Sequence, residues 1–158
     1  MGTASLGFAL ADVARLMRRA FRHRLRGSEL TYNQARVLVR LANESGLRQV
    51  DLADRLEMQP IALSRVIDQL AERGVVERRC DPTDGRAHLL AATPRARSHL
   101  DEIARVTAAI RADALRDVSA ADAAVALSVI ESMRANLSSR GAGADGADNT
   151  NAAGGRAR

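Results

Sequence analysis

The sequence predicts a mainly helical chain that carries one short β-hairpin, and three observations lead there. Aromatic residues make up 2% of the chain and hydrophobic residues 46%. The core is therefore aliphatic and alanine-rich, which suits helices better than a sandwich or barrel. Apolar residues recur at steps of three and four over most of the length. One stretch, "CDPTDGRAH" from Cys80, has neither an apolar run nor a helical period, and it lies between the short segments "VVERR" and "HLLAA". Its Asp-Pro and Asp-Gly pairs are turn signals, and Val75-Val76 is β-branched, so the flanking pieces read as two strands and the loop as a hairpin tip.

From Leu6 to Leu25 the positions Leu6, Leu10, Val13, Met17, Phe21 and Leu25 make one apolar stripe, while Arg15, Arg18, Arg19, Arg22 and Arg26 lie opposite. Gly27 and Ser28 break that helix. Thr31 with Gln34 three residues on has the pattern of a capping box. The second helix runs through Val37, Leu38 and Leu41 and ends near Asn43 to Gly46. A third, short helix covers about Gln49 to Leu56. A fourth begins at Pro60, a residue favoured at the first helical position, and stops at Gly74. After the hairpin, Thr93-Pro94 opens a fifth helix with a stripe through Leu100, Ile103 and Ile110. Ser119 opens a sixth with Ala123, Leu127, Ile130 and Leu137 on one side. From Ser138 onward no large apolar residue occurs, so residues 138–158 are expected to be a disordered tail. No internal repeat is seen.

With 158 residues the chain suits one ordinary domain, expected over residues 1–137. All 24 basic residues are Arg, and the formal net charge is +5, which favours a polyanionic partner. The one cysteine, Cys80, excludes an internal disulfide framework. No stretch approaches the roughly 20 apolar residues that span a bilayer. The protein is expected to be cytoplasmic, with no membrane association. His23, His88 and His99 have no metal-ligand spacing, and no phosphate loop or nucleophile motif occurs. Neither an enzyme nor a cofactor or metal site is expected.

The third and fourth helices, "QVDLADRLEMQPIALSRVIDQL", have the spacing of a helix-turn-helix. Ala53 sits where the first helix must admit the second, and Leu56, Leu63, Val66, Ile67 and Leu70 supply the shared core. Glu57 occupies the turn where many such motifs place Gly, so the turn must avoid positive φ or carry strain. A helix-turn-helix followed at once by a two-stranded hairpin is the element order of a winged helix. The fourth helix then offers Gln59, Pro60, Ile61, Ala62, Ser64 and Arg65 to a major groove. Arg65 can read guanine in bidentate fashion or grip a phosphate, Gln59 and Ser64 can bond base edges or phosphates, and Ile61 and Ala62 offer apolar contact. Arg86, expected at the hairpin tip, can reach an adjacent minor groove, with Asp84 holding its guanidinium. From Arg48 to Arg97 the acids nearly equal the arginines, so binding depends on placement rather than a net field. Cys80, beside Arg78 and Arg79, is a weak candidate for oxidant sensing.

The order of elements and the segments "LADRLEMQPIALSRVIDQLAERGVVERR" and "DPTDGRAHLLAATPRAR" resemble the MarR family. The resemblance covers roughly Leu6 to Leu137, and Asp81, Asp84 and Arg86 match the family's wing signature. It implies a homodimer of winged helices (about 31–93) joined through dimerisation helices (about 6–27 and 94–137). It also implies a transcriptional regulator, usually a repressor, that binds double-stranded DNA and leaves it on binding a small aromatic or phenolic effector. The effector pocket is expected near Met17, Phe21, Tyr32 and Arg36. Ala62 stands where many members have Thr or Ser, and the tail is an addition. The alternative is a winged-helix protein-interaction module without operator binding.

Overall fold

The computed structural model describes residues 5–144, apart from some side chains, Arg86 among them. The chain divides into two compact units, Met1–Asp113 and Ala114–Arg158. The first holds α1 (Leu6–Arg24), α2 (Tyr32–Asn43), β1 (Leu47–Arg48), α3 (Gln49–Arg55), α4 (Pro60–Glu72), β2 (Val76–Asp81), β3 (Asp84–Ala92), a 3-10 turn at Pro94–Ala96, and α5 (Arg97–Ala114). The second holds α6 (Ala120–Ala144).

The capping box forms as the sequence predicts. The Gln34 backbone N–H donates to Thr31 Oγ1 at 3.3 Å, and the Thr31 N–H donates to Gln34 Oε1 at 2.8 Å. Two otherwise orphaned donors are thereby satisfied at the start of α2. The Gln34 amide also donates to Gln69 Oε1 at 3.0 Å, tying the start of α2 to α4. Behind this cap α2 buries Ala35, Val37, Leu38 and Leu41. They meet Leu52 of α3, Leu63, Ile67 and Leu70 of α4, and Leu90 of β3 in one aliphatic core. Each Leu, Ile or Val side chain among them contributes about 1.5–3 kcal/mol on burial.

Among the described residues three strands form, one more than the sequence signals. Antiparallel order is β1-β3-β2, with Leu47 opposite Leu90 and Arg48 opposite Leu89. Two residues are too few to show alternation, so β1 exists only because β3 offers its free edge. The hairpin is also tighter than expected. Strands β2 and β3 leave only Pro82 and Thr83 as the turn, with a register shift at Cys80 and Asp81. Asp84 pairs with Asp81 and His88 with Cys80, so Gly85, Arg86 and Ala87 have no partner on β2, and the Arg86 backbone lies in this irregular turn end of the hairpin. The Asp84-Gly85 pair opens that unpaired stretch, while the two-residue turn itself falls at Pro82 and Thr83.

The C-terminal end of the hairpin is fixed by Thr93. Its hydroxyl donates to the Gly74 carbonyl at 2.7 Å and accepts from the Arg95 N–H at 3.2 Å. Helix α5 then buries Ile103 and Ile110. The first helix stops at Arg24, within a residue of the expected stripe end at Leu25, and Gly27 turns the chain away with φ of +85°.

In the second unit Ser119 caps α6, its Oγ accepting the Asp122 N–H at 3.1 Å. The helix runs on to Ala144, past the expected tail boundary at Ser138. Extending an existing helix avoids the cost of nucleation, so a stretch without core-facing residues can still continue it. Residues 145–158 of the expected tail lie outside the described residues. Among the described residues no helix is long and apolar enough to cross a membrane.

Candidate nucleic-acid interface

The α3–α4 turn is built by a Schellman cap with an unusual occupant. The Glu57 N–H donates to the Asp54 carbonyl at 3.0 Å and the Met58 N–H to the Ala53 carbonyl at 2.9 Å. That pair of bonds requires a left-handed residue between them. Glu57 supplies it at φ of +48°, the only positive φ outside glycine among the described residues. The strain anticipated from the sequence is thus present. The same motif closes α4, where Gly74 at φ of +69° takes the equivalent position without penalty, its N–H donating to Ala71 at 2.8 Å and that of Val75 to Leu70 at 3.0 Å.

Helix α4 follows at once, with Pro60 at its first position. One face, Leu63, Val66, Ile67 and Leu70, is buried. Gln59, Pro60, Ile61, Ala62 and Arg65 are exposed and Ser64 is half-buried. The expected reading residues therefore share the N-terminal, outward part of one helix. Ile61 is 72% exposed, which no folding requirement explains. Gln59 is the N-cap residue but makes no side-chain cap bond, leaving its amide for a partner. Free backbone N–H groups at this end favour an anion.

The wing is anchored by a carboxylate that sequence reasoning placed only within a signature. Asp81, 7% exposed, accepts from the Thr83 hydroxyl at 2.6 Å, the Thr83 N–H at 2.8 Å and Arg48 Nη2 at 2.7 Å. These bonds, those from Thr83 foremost, hold its carboxyl well below the usual carboxylate range. The Asp81 bond in turn raises the Arg48 pKa. Asp84 lies 3.7 Å from the same guanidinium. Arg48 was missed as a site residue. The Asp81-Pro-Thr83 spacing is a readable Asx-turn signal, but nothing local marks the Arg that crosses from β1. Arg78 of β2 reaches Asp68 of α4 at 2.6 Å, a second tie between wing and helix. The backbone places Arg86 in β3, two residues from Asp84; its side chain is outside the described residues. Cys80 is exposed on β2, opposite His88. Among the described residues no group of three or more His, Cys, Asp or Glu can hold a metal ion.

A separate cavity of about 280 Å³ is lined by Ala14, Met17, Arg18, Phe21, Tyr32, Thr107 and Ile110. It brings together three of the four expected effector residues. Phe21 meets Tyr32 edge to face, with ring centroids 5.6 Å apart. Arg36 does not line it. That guanidinium stacks on Tyr32, 5.8 Å from the ring centroid, and donates to the Leu56 carbonyl.

A model of the MarR family matches residues 30–88, the span from the α2 cap through the wing. Over that span the chain is similar to the MarR family. The family is one of regulators rather than enzymes. Solved structures agree on the fold. Wild-type MarR from E. coli is 21% identical, with 84% of this chain and 98% of that one aligned at a TM-score of 0.75. A MarR-family transcriptional regulator from Silicibacter pomeroyi is 20% identical, covering 84% and 90% at 0.73. A probable transcriptional regulator from Pseudomonas aeruginosa is 25% identical, covering 82% and 97% at 0.66. The likeness extends well beyond the residues of the family model and takes in most of the helical remainder.

Proposed function

We propose that this chain is a MarR-family, sequence-specific DNA-binding repressor that works as a homodimer on a pseudo-palindromic operator. The observation that carries the reading is the split of α4. Its apolar face is locked into the core, while Gln59, Ile61, Ala62 and Arg65 stand exposed at its N-terminal end. A rigid helix that presents polar and small apolar groups together fits a major groove. Arg65 reads guanine, Gln59 and Ser64 bond base edges or phosphates, and Arg86 of the wing enters the neighbouring minor groove. Arg48 and Asp81 set the direction of the wing.

Dimerisation is supported by apolar exposure. Leu6 is 59% and Phe8 76% exposed on α1, and Val125 is 64% and Leu137 70% exposed on α6. A second copy covers such faces through a two-fold axis. Two reading helices about 34–36 Å apart then address half-sites one turn apart. The effector is a small aromatic or phenolic molecule in the cavity at Met17, Phe21 and Tyr32. It induces release only as far as it binds the DNA-incompetent state more tightly.

Footprinting on DNA bound by the full chain tests the reading. Two protected half-sites in register are expected, and protection of a single half-site contradicts the two-headed geometry. Sedimentation as a monomer at micromolar concentration removes the homodimer.

A further inference from the structure

The net charge of this protein sits on one helix and the turn that follows it. The winged helix itself, residues 31–93, contains nine arginines and nine acids, a net charge of zero. Residues 6–26 contain Arg15, Arg18, Arg19, Arg22, Arg24 and Arg26 against Asp12 alone, a net +5 that equals the formal charge of the whole chain. Arg15 pairs with Asp12 at 3.0 Å, and Arg24 pairs with Asp113. Among the described residues no carboxylate pairs with Arg18, Arg19, Arg22 or Arg26. All four are exposed. With Arg15 and His23 they line a groove of about 770 Å³ whose only apolar walls are Leu16 and Ala20.

We propose that this arginine face of α1 is a docking surface for the phosphate backbone of duplex DNA, separate from the reading helix and wing. The proposal rests on the DNA-binding reading above. A reading head of zero net charge exerts little field beyond the Debye length of about 8 Å at physiological salt. Sequence-independent attraction to DNA comes from neutralising phosphates, and α1 holds the uncompensated cations that can do so. Arg18, Arg19 and Arg22 lie within about one turn, so they span about 6 Å of helix axis. That matches two successive phosphate spacings of about 3.4 Å of axis along one strand. The guanidinium fork suits phosphate oxygens. A second copy of this chain is the poorer occupant. Burying like-charged guanidinium groups between copies without carboxylates would leave their desolvation uncompensated.

The experiment is a salt titration of the full chain by fluorescence anisotropy, on a random-sequence duplex and on a duplex selected from a random library. The variant replaces Arg18, Arg19, Arg22 and Arg26 by Gln. Its slope of log affinity against log salt should be shallower by about 3–4, at 0.9 per lost phosphate contact. Between 50 and 200 mM salt the wild type should then lose about 100-fold more affinity than the variant. The preference for selected over random duplex should persist, and the same four positions changed to Lys should keep the slope. An unchanged slope in the Gln variant, with sequence preference intact, overturns this proposal and leaves the DNA-binding reading standing. So does a Lys variant that behaves like the Gln variant. A Gln variant that sediments as a monomer where the wild type is a dimer assigns the face to contact between copies and equally overturns it. A wild type that binds no duplex at 50 mM salt overturns both.

Discussion

Replacing Glu57 by Gly should make this protein more stable. Two caps in the molecule have the same hydrogen-bond pattern, and they differ in the residue that takes the left-handed position. Gly74 does so at φ of +69°, Glu57 at +48°. A side chain at such a φ costs about 1–2 kcal/mol through the contact of Cβ with the backbone. Glycine removes that cost but adds unfolded-state entropy of about 0.5–1 kcal/mol. Among the described residues Glu57 is in no ion pair, and it is exposed, so little else is lost. The net gain should be about 0.5–1 kcal/mol, or a rise in midpoint of roughly 1–4 °C. The assay is urea unfolding at fixed protein concentration, since stability of a dimer depends on concentration. Glu57→Ala is the control, because it removes the same charge and keeps the Cβ. It should gain nothing. If Glu57→Gly is destabilising, or if Ala stabilises as much as Gly, then φ strain is not what the turn stores.

Arg65→Ala should cost about 1–3 kcal/mol on the cognate site and relax preference there, as read by competition with single-base variants; an equal loss on every sequence would make Arg65 a phosphate contact. Asp81→Asn should weaken DNA binding while leaving assembly intact, because the wing loses its tie to Arg48 and Thr83, and unchanged affinity would remove Arg48 and Asp81 from the account. The pH dependence follows from the same residue. A depressed carboxyl pKa stabilises the fold at pH above the ordinary carboxylate value, and the contribution is lost as pH falls from there towards the folded value. The stability difference between wild type and Asp81→Asn should therefore shrink below about pH 4, measured by unfolding across pH 2–6. Ile67→Ala, in the centre of the α2–α4 core, should destabilise by about 2–5 kcal/mol by thermal unfolding, and a loss below 1 kcal/mol would show that the core relaxes around the cavity.

The sequence by itself determined the elements whose signals are local. Thr31 and Gln34 announce a capping box, Pro60 the start of α4, Gly74 its end, and Thr93-Pro94 the entry to α5; each works through atoms within a few residues. The α4 stripe was likewise legible, since the face that buries Leu63, Val66, Ile67 and Leu70 leaves Gln59, Ile61 and Arg65 outside. What depends on chain segments far apart was decided only in the tertiary structure. Strand β1 has two residues and no pattern of its own; its existence comes from β3. The register shift that leaves Gly85, Arg86 and Ala87 without partners on β2 was set by the β2–β3 pairing, with the turn at Pro82-Thr83 rather than at the Asp-Gly pair. Arg48 stands 33 positions from Asp81, and no spacing rule joins them, yet their 2.7 Å contact is what fixes the wing. The capping and turn signals are short-range backbone chemistry and can be read one residue at a time, whereas a salt bridge across a sheet exists only after the core has brought its two ends together.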